Sequence, residues 1–203
     1  MCIRDRVAHD RASAAAALAT ERAALAALAG TGAVGLLDVV TVDGRPALVL
    51  EHLDGATLRE VAPRLSMAAR VELIAQLADQ VDAIHRVGWV HGDLKPDNVI
   101  VGGPPPTPRV IDFGAAAPLG AALPGLATTG YRAPERGRAS TATVAIDVYA
   151  LGAIAFEVLG GAPAFPSSGR LGVLAHRDRR VPALPGAAGS ALERVVRAAL
   201  AKA

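Results

Sequence analysis

Residues 91–98 read HGDLKPDN, eight positions that bring an imidazole, two carboxylates, a lysine and an amide together around a proline. Pro96 fixes its own φ and steers Lys95 away from helical conformation, so the stretch is expected to be an extended loop whose side chains project in set directions. So many polar groups on one rigid loop suit chemistry better than mere connection. Asp93 and Asn98, five residues apart, combine with Asp112 farther on to offer the hard oxygen donors that magnesium takes when phosphates complete its shell.

Together these groups meet the needs of phosphoryl transfer, which are an oriented hydroxyl, a neutralised phosphate and a held metal. Asp93 can accept the hydroxyl proton and Lys95 can contact a γ-phosphate as a point charge. Asn98 and Asp112 can hold magnesium that spreads the developing negative charge. His91 is expected to pack and hydrogen-bond rather than catalyse. The chain has nineteen arginines but two lysines, Lys95 and Lys202, so chemistry that needs a lysine has almost no other choice.

Outward from the loop, Met67 to Val87 carries Val71, Ile74, Leu77, Val81 and Ile84 at helical spacing, with Ser66 placed to cap its start and Gly88 its end. On the other side, VIV at 99–101, a GGPPPTP turn and RVIDFG at 109–114 read as a short hairpin, so two strand ends border the loop. Nearer the N-terminus, Val7 to Ala29 is helix-forming. Leu18, Leu25 and Leu28 share one face with Glu21, whose carboxylate either finds a cation or sits at an exposed helix end. GLLDVV and ALVLEHL, joined by TVDGRP, read as a second hairpin, while DGATLREVAPRLS reads as a polar link and Ala115 to Leu126 as irregular. Residues 144–159 form an almost wholly apolar helix closed by Gly160, Gly161 and Pro163. A last helix opens with Ser190 and Glu193 in a capping-box arrangement and carries Leu192, Val195, Val196 and Leu200.

At 203 residues and 52% hydrophobic, the chain is long enough for one sizeable core or for one domain with a small companion. Its formal charge of +2 is dispersed, and the densest basic run, RDRR at 177–180, is interrupted by Asp178, so a solvated turn is favoured over a nucleic-acid surface. The single cysteine, Cys2, excludes an intramolecular disulfide and fits a cytoplasmic location. No membrane segment is visible, because the longest apolar run is interrupted by Glu157. MCIRDR, followed by His9, Asp10 and Arg11, is no secretory signal, and residues 1–6 read as a non-native scar.

HGDLKPDN, IDFG at 111–114, TTGYRAPE at 128–135 and DVYALG at 147–152, in this order and separation, resemble the Hanks-type serine/threonine protein kinases of bacteria over nearly the whole chain. The resemblance implies ATP and Mg2+ as cofactors and protein substrates phosphorylated on Ser or Thr. It implies an α+β, two-lobed fold: residues 7–53 would be a partial β-rich N-lobe of helix C and one hairpin, and 54–203 a mostly α-helical C-lobe. By the same resemblance Glu21 matches the helix-C glutamate, Leu50 the gatekeeper and Glu51 to Leu53 the adenine-binding hinge. Leu25, His91 and Phe113 match a stacked hydrophobic column, and Thr128 a threonine set against the catalytic Asp and Lys. Asp147 matches an aspartate that pins the catalytic loop from below. Ordinary capping is the alternative for Thr128 and Asp147.

Departures from the family pattern carry their own expectations. Gly92 stands where the family has an arginine that receives an activation-loop phosphate, and no Ser, Thr or Tyr lies between Ala115 and Ala127, so an activation segment that orders without phosphorylation is expected. No glycine-rich loop and no lysine precede Glu21. The family's arginine partner for Glu135 would fall beyond residue 203, which would strand a buried carboxylate. Truncation at both ends and weak activity of this fragment are expected, and any membrane anchor of the parent would lie outside it. Two rivals stand beside the kinase. A pseudokinase or docking module suits the missing lysine but not the intact Asp93, Lys95, Asn98 and Asp112. A small-molecule phosphotransferase shares an H-G-D loop but not Lys95 or the APE-like segment.

Overall fold

In the computed structural model, which describes residues 2–3, 11–123, 129–136, 141–165 and 180–201, strand β1 (Cys2–Ile3) precedes helix α1 (Arg11–Ala27). Glu21, Ala24 and Leu25 on α1, with Leu28 just past its end, recur at helical spacing and are all buried, so the carboxylate does share the apolar stripe. Asp43-Gly44, both at positive φ, closes the tight turn between β2 (Leu36–Val42) and β3 (Arg45–Leu50). The pair is antiparallel from Val42↔Arg45 to Leu36↔Leu50, with a bulge at Leu36/Asp38. Cys2 and Ile3 pair with Leu50 and Val49 on the other edge, giving the order β1-β3-β2, so the hairpin expected from sequence gains a third, two-residue strand.

The polar link is more ordered than its composition suggests. After β4 (Ala56–Thr57), helix α2 (Leu58–Val61) opens with a full capping box: Thr57 Oγ1 accepts from the Glu60 amide while Glu60 accepts from the Thr57 amide. Helix α3 (Met67–Arg86) is capped by Ser66, whose Oγ accepts from Ala69 N at 3.3 Å. Its buried stripe is Leu73, Leu77, Val81 and Ile84; Val71, expected inside, is exposed and Ile74 is half-buried, because the apolar face lies two positions round from Val71.

Beyond α3 come β5 (Trp89–Val90), the 91–98 loop, β6 (Val99–Gly102), β7 (Thr107–Val110) and β8 (Ala117–Pro118). β6 and β7 form the expected hairpin, extended by β4 into a β4-β6-β7 sheet. β8 pairs with β5, Trp89↔Pro118 and Val90↔Ala117, so the stretch read as irregular contains a two-residue strand, too short for alternation to reveal.

Helix α4 (Val144–Gly160) runs through the core with eleven buried residues and ends at Gly161 in left-handed conformation. Gly152 lets helix α5 (Ala191–Ala199) approach α4 closely, since a Cβ there would lie 2.8 Å from Ala199 Cβ. Ser190 caps α5 as expected, but Glu193 does not complete the box. Its carboxylate instead accepts from Leu184 N at 3.0 Å and Gly189 N at 2.6 Å, tying the preceding turn to the helix. Val195, read as an apolar-face residue, is exposed at 67%.

Candidate active site

The 91–98 loop hangs from α4. Asp147, fully buried, accepts from His91 N at 2.7 Å and Gly92 N at 2.9 Å, and His85 Nε2 lies 3.0 Å from its Oδ2. Two consecutive amides can converge on one carboxylate because Gly92 takes φ +77°. His91 is also fully buried. Its Nδ1 accepts from Asp93 N at 3.2 Å and its Nε2 donates to Ile111 O at 3.0 Å, a neutral tautomer set by both neighbours, and its ring packs 4.8 Å from that of Phe113. The imidazole is therefore a bracket between the loop and the 111–114 segment.

On this bracket Lys95 Nζ bonds Asp93 Oδ2 at 2.9 Å, and both side chains are mostly shielded from water. Pro96 starts a 3₁₀ turn, Pro96–Asn98, which returns the chain so that Asn98 Nδ2 donates to Asp93 O at 3.0 Å. That bond leaves the Asn98 side-chain oxygen as an acceptor. The β6–β7 register then sets Asn98 opposite Ile111, whose amide donates to Asn98 O at 2.9 Å, so Asp112 follows one residue later. Asp112 is buried and takes φ 65°, a left-handed conformation costly for a side-chain-bearing residue and concentrated at functional sites. The structure thus brings Asp93, Lys95 and Asn98 onto one loop, with Asp112 two residues past β7, next to Ile111, whose amide bonds that loop.

The other predicted residues lie on separate elements. Glu21 is on α1 and Leu50 ends β3, half-buried against the core. Glu51 is held by its amide, which donates to Gly35 O at 2.9 Å, and by its carboxylate, which accepts from Gly35 N at 2.7 Å and pairs with Arg109. Leu53 is half-buried against the same core. Thr128 lies outside the described residues. Glu135, expected to be buried, is exposed, because its side chain faces water at this turn and no desolvation needs offsetting.

A network absent from the sequence expectations braces the site from the side. Arg59 Nε and Nη2 grip Asp97 at 2.9 Å each, Nη1 reaches Glu157 at 2.6 Å, and Nη2 donates to Tyr131 Oη at 2.7 Å. Tyr131 OH in turn donates to Glu157. Arg59 holds the Asp97 carboxyl below its usual range, chiefly through this forked hydrogen bond. One guanidinium thereby joins α2, the loop, the segment before Glu135 and α4. The Thr57-Leu58-Arg59-Glu60 signature could have revealed the helix that carries Arg59, but nothing local marks its distant partners.

The model of the protein kinase domain matches residues 3–184. This chain belongs to the protein kinase family. Among its curated relatives, serine/threonine-protein kinase Pkn1 of Myxococcus xanthus is 36% identical over 183 residues, covering 83% of this chain and 26% of the relative. Serine/threonine-protein kinase PkaA of Streptomyces coelicolor is 35% identical over 194 residues, covering 87% and 35% respectively. The kinase domain described here therefore spans about a quarter to a third of the length of these bacterial relatives. Among solved structures, the Cydia pomonella granulovirus kinase PK-1 superposes with a TM-score of 0.78 at 20% identity, over 90% of this chain and 74% of that one, which shows the same two-lobed α+β fold. No described helix of the kinase domain is long and apolar enough to cross a membrane.

Proposed function

We propose that this kinase domain transfers the γ-phosphate of ATP, with magnesium, to serine or threonine hydroxyls of protein substrates. The observation that carries the proposal is the backbone-braced cluster of Asp93, Lys95 and Asn98, with Asp112 in the adjoining stretch just past β7. Asp93 orients the substrate hydroxyl and accepts its proton, while Lys95, now paired with Asp93, turns to the γ-phosphate as a point charge. The oxygens of Asn98 and Asp112, both buried, are a donor set that fits magnesium, an ion content with one or two protein ligands when phosphates and water supply the rest. Bound there, the ion would neutralise charge on the phosphates. Leu50 would border the adenine, and the backbone of Glu51 to Leu53 would bind it, less the Glu51 amide that Gly35 already holds. Glu21 would help order the phosphate-binding side of the cleft, and Thr128 is assigned beside Asp93 and Lys95 from its motif alone. Residues 7–53 and 54–203 would act as the two lobes about this cleft. No lysine precedes Glu21 in this sequence, so turnover by this chain alone is proposed to be slow.

The test is transfer of radiolabelled phosphate from ATP to a generic basic protein, with magnesium, by this chain and by its Asp93→Asn variant. A measurable rate that drops about 10²- to 10⁴-fold in the variant is expected, the usual worth of a positioned base. Transfer that survives Asp93→Asn would refute the site assignment. Nucleotide binding without any transfer would instead favour the docking-module reading, which the absent lysine suits.

A further inference from the structure

Where the family pattern has an arginine in the catalytic loop, this chain closes the space with backbone. An ideal Cβ on Gly92 would stand 2.6 Å from Ala115 O and 3.1 Å from Leu123 Cδ2, so the segment after Phe113 lies directly on the loop with no room for a side chain between them. The cation appears elsewhere. Arg136, just past Glu135 in the activation segment, is 4% exposed and is the one buried cation among the described residues. Its amide donates to Ala133 O at 3.0 Å, and its carbonyl accepts from Arg132 Nε at 2.7 Å, which fixes the turn that carries it. With Gly92, Asp93 and Asp147, Arg136 lines a cavity of about 10 Å³, room for one water at most.

A guanidinium shielded this far from water must be compensated by anions. Burial, and then the neighbouring Arg132, push Arg136 below its ordinary value, while the carboxylates of Asp93 and Asp147 oppose them. Those two carboxylates are the proposed base and the anchor of the loop that carries it. We propose that Arg136 is a positioning residue whose guanidinium, facing Asp93 and Asp147 across their shared cavity, ties the activation segment to the catalytic loop without any phosphate. The polarity of a phosphate clamp is reversed: the cation sits on the segment and the anions sit beneath and on the loop. The catalytic consequence of this clamp rests on the phosphotransfer proposed above; its mechanical consequence does not.

The test follows amide hydrogen exchange at His91 and Gly92, whose N–H groups bind Asp147. In this chain, Arg136→Met is expected to speed exchange at both amides by about tenfold or more, a common scale for loosening a local structural unit. Arg136→Lys, which keeps the charge, and Arg86→Met, on an exposed face of α3, should exchange like the wild type. Unchanged exchange in Arg136→Met, or equal acceleration in Arg136→Lys, would overturn the clamp, and the lysine variant decides alone if the methionine variant does not fold. Phosphatase treatment of the wild type should leave both amides as protected as before, and their loosening would also overturn it. Where transfer is measured, Arg136→Met should lower kcat with KM for ATP little changed. A wild type that transfers nothing would refute the proposed catalysis, while exchange would still decide the clamp.

Discussion

Replacing Asp147 with alanine should loosen the loop that carries Asp93, and the size of the effect follows from the groups left behind. The carboxylate is fully buried and accepts two backbone amides, His91 N and Gly92 N, with the His85 ring beside it. Each buried amide deprived of its acceptor costs about 1–3 kcal/mol. Removing a desolvated charge returns part of that loss, so a net destabilisation of about 2–4 kcal/mol is expected. Against a total stability of about 5–15 kcal/mol this is a large fraction. Asp147→Asn keeps the shape and one oxygen but turns a carboxamide NH2, itself a donor, toward the second N–H, so it should lose about half as much. Urea unfolding followed by circular dichroism measures both variants, with equal slopes confirming that the same surface is exposed. If Asp147→Ala cost less than about 1 kcal/mol at unchanged slope, the amides would not depend on this carboxylate and the proposed anchoring of the loop would be wrong.

Two further outcomes concern titration. The chain has two tyrosines, and burial pushes both phenols above their ordinary value: Glu157 adds to this at Tyr131 against the opposing Arg59, and Glu135 adds to it at Tyr149. Because the folded state holds these protons longer than the unfolded chain does, its stability is intact below about pH 10 and declines above it. Tyrosinate absorbance should therefore appear only together with loss of helical signal; a band growing near pH 10 while the fold stays intact would contradict the buried network. Glu193 behaves with the opposite sign. The amides of Gly189 and Leu184, then Arg197, hold its carboxyl below the usual range, so its contribution is present above about pH 4.3 and vanishes as pH falls through the lowered value. Glu193→Gln should melt below the wild type at neutral pH and match it in strong acid, and a gap that stayed constant with pH would refute this.

How much of this kinase domain was legible in its sequence depends on chain separation. Asp93, Lys95 and Asn98 sit within six residues, and a proline and a short hairpin bring the backbone at Asn98 against the stretch that carries Asp112, so the arrangement on which the proposed site rests follows from local rules. The α4 helix and the α3 cap are equally local. Arg59 is different. It meets Asp97, Tyr131 and Glu157 across 38, 72 and 98 residues, and such meetings depend on how distant elements of the helical part pack, for which no short pattern exists. Errors of face have the same origin. Val71 and Val195 fit an apolar period, yet neighbouring elements cover a stripe displaced from them. Glu193 shows competition rather than displacement: the box its spacing suggests gives way to two amides of the preceding turn, Leu184 N and Gly189 N, from which its carboxylate accepts instead.

Gly92 is where the two kinds of information meet. As a letter it departs from the family pattern, which has an arginine there. As a conformation it is what lets two successive amides turn toward Asp147 while the segment after Phe113 settles on the loop at a distance no side chain would tolerate. A loop held by backbone hydrogen bonds to a core helix keeps its geometry whether or not a charged switch acts on it, because those bonds are shielded from water and from changes at the surface. The departure at this position therefore leaves the construction of the loop intact. That is why the imidazole bracket, the Lys95–Asp93 pair and the turn through Pro96 can all persist around a residue that breaks the motif.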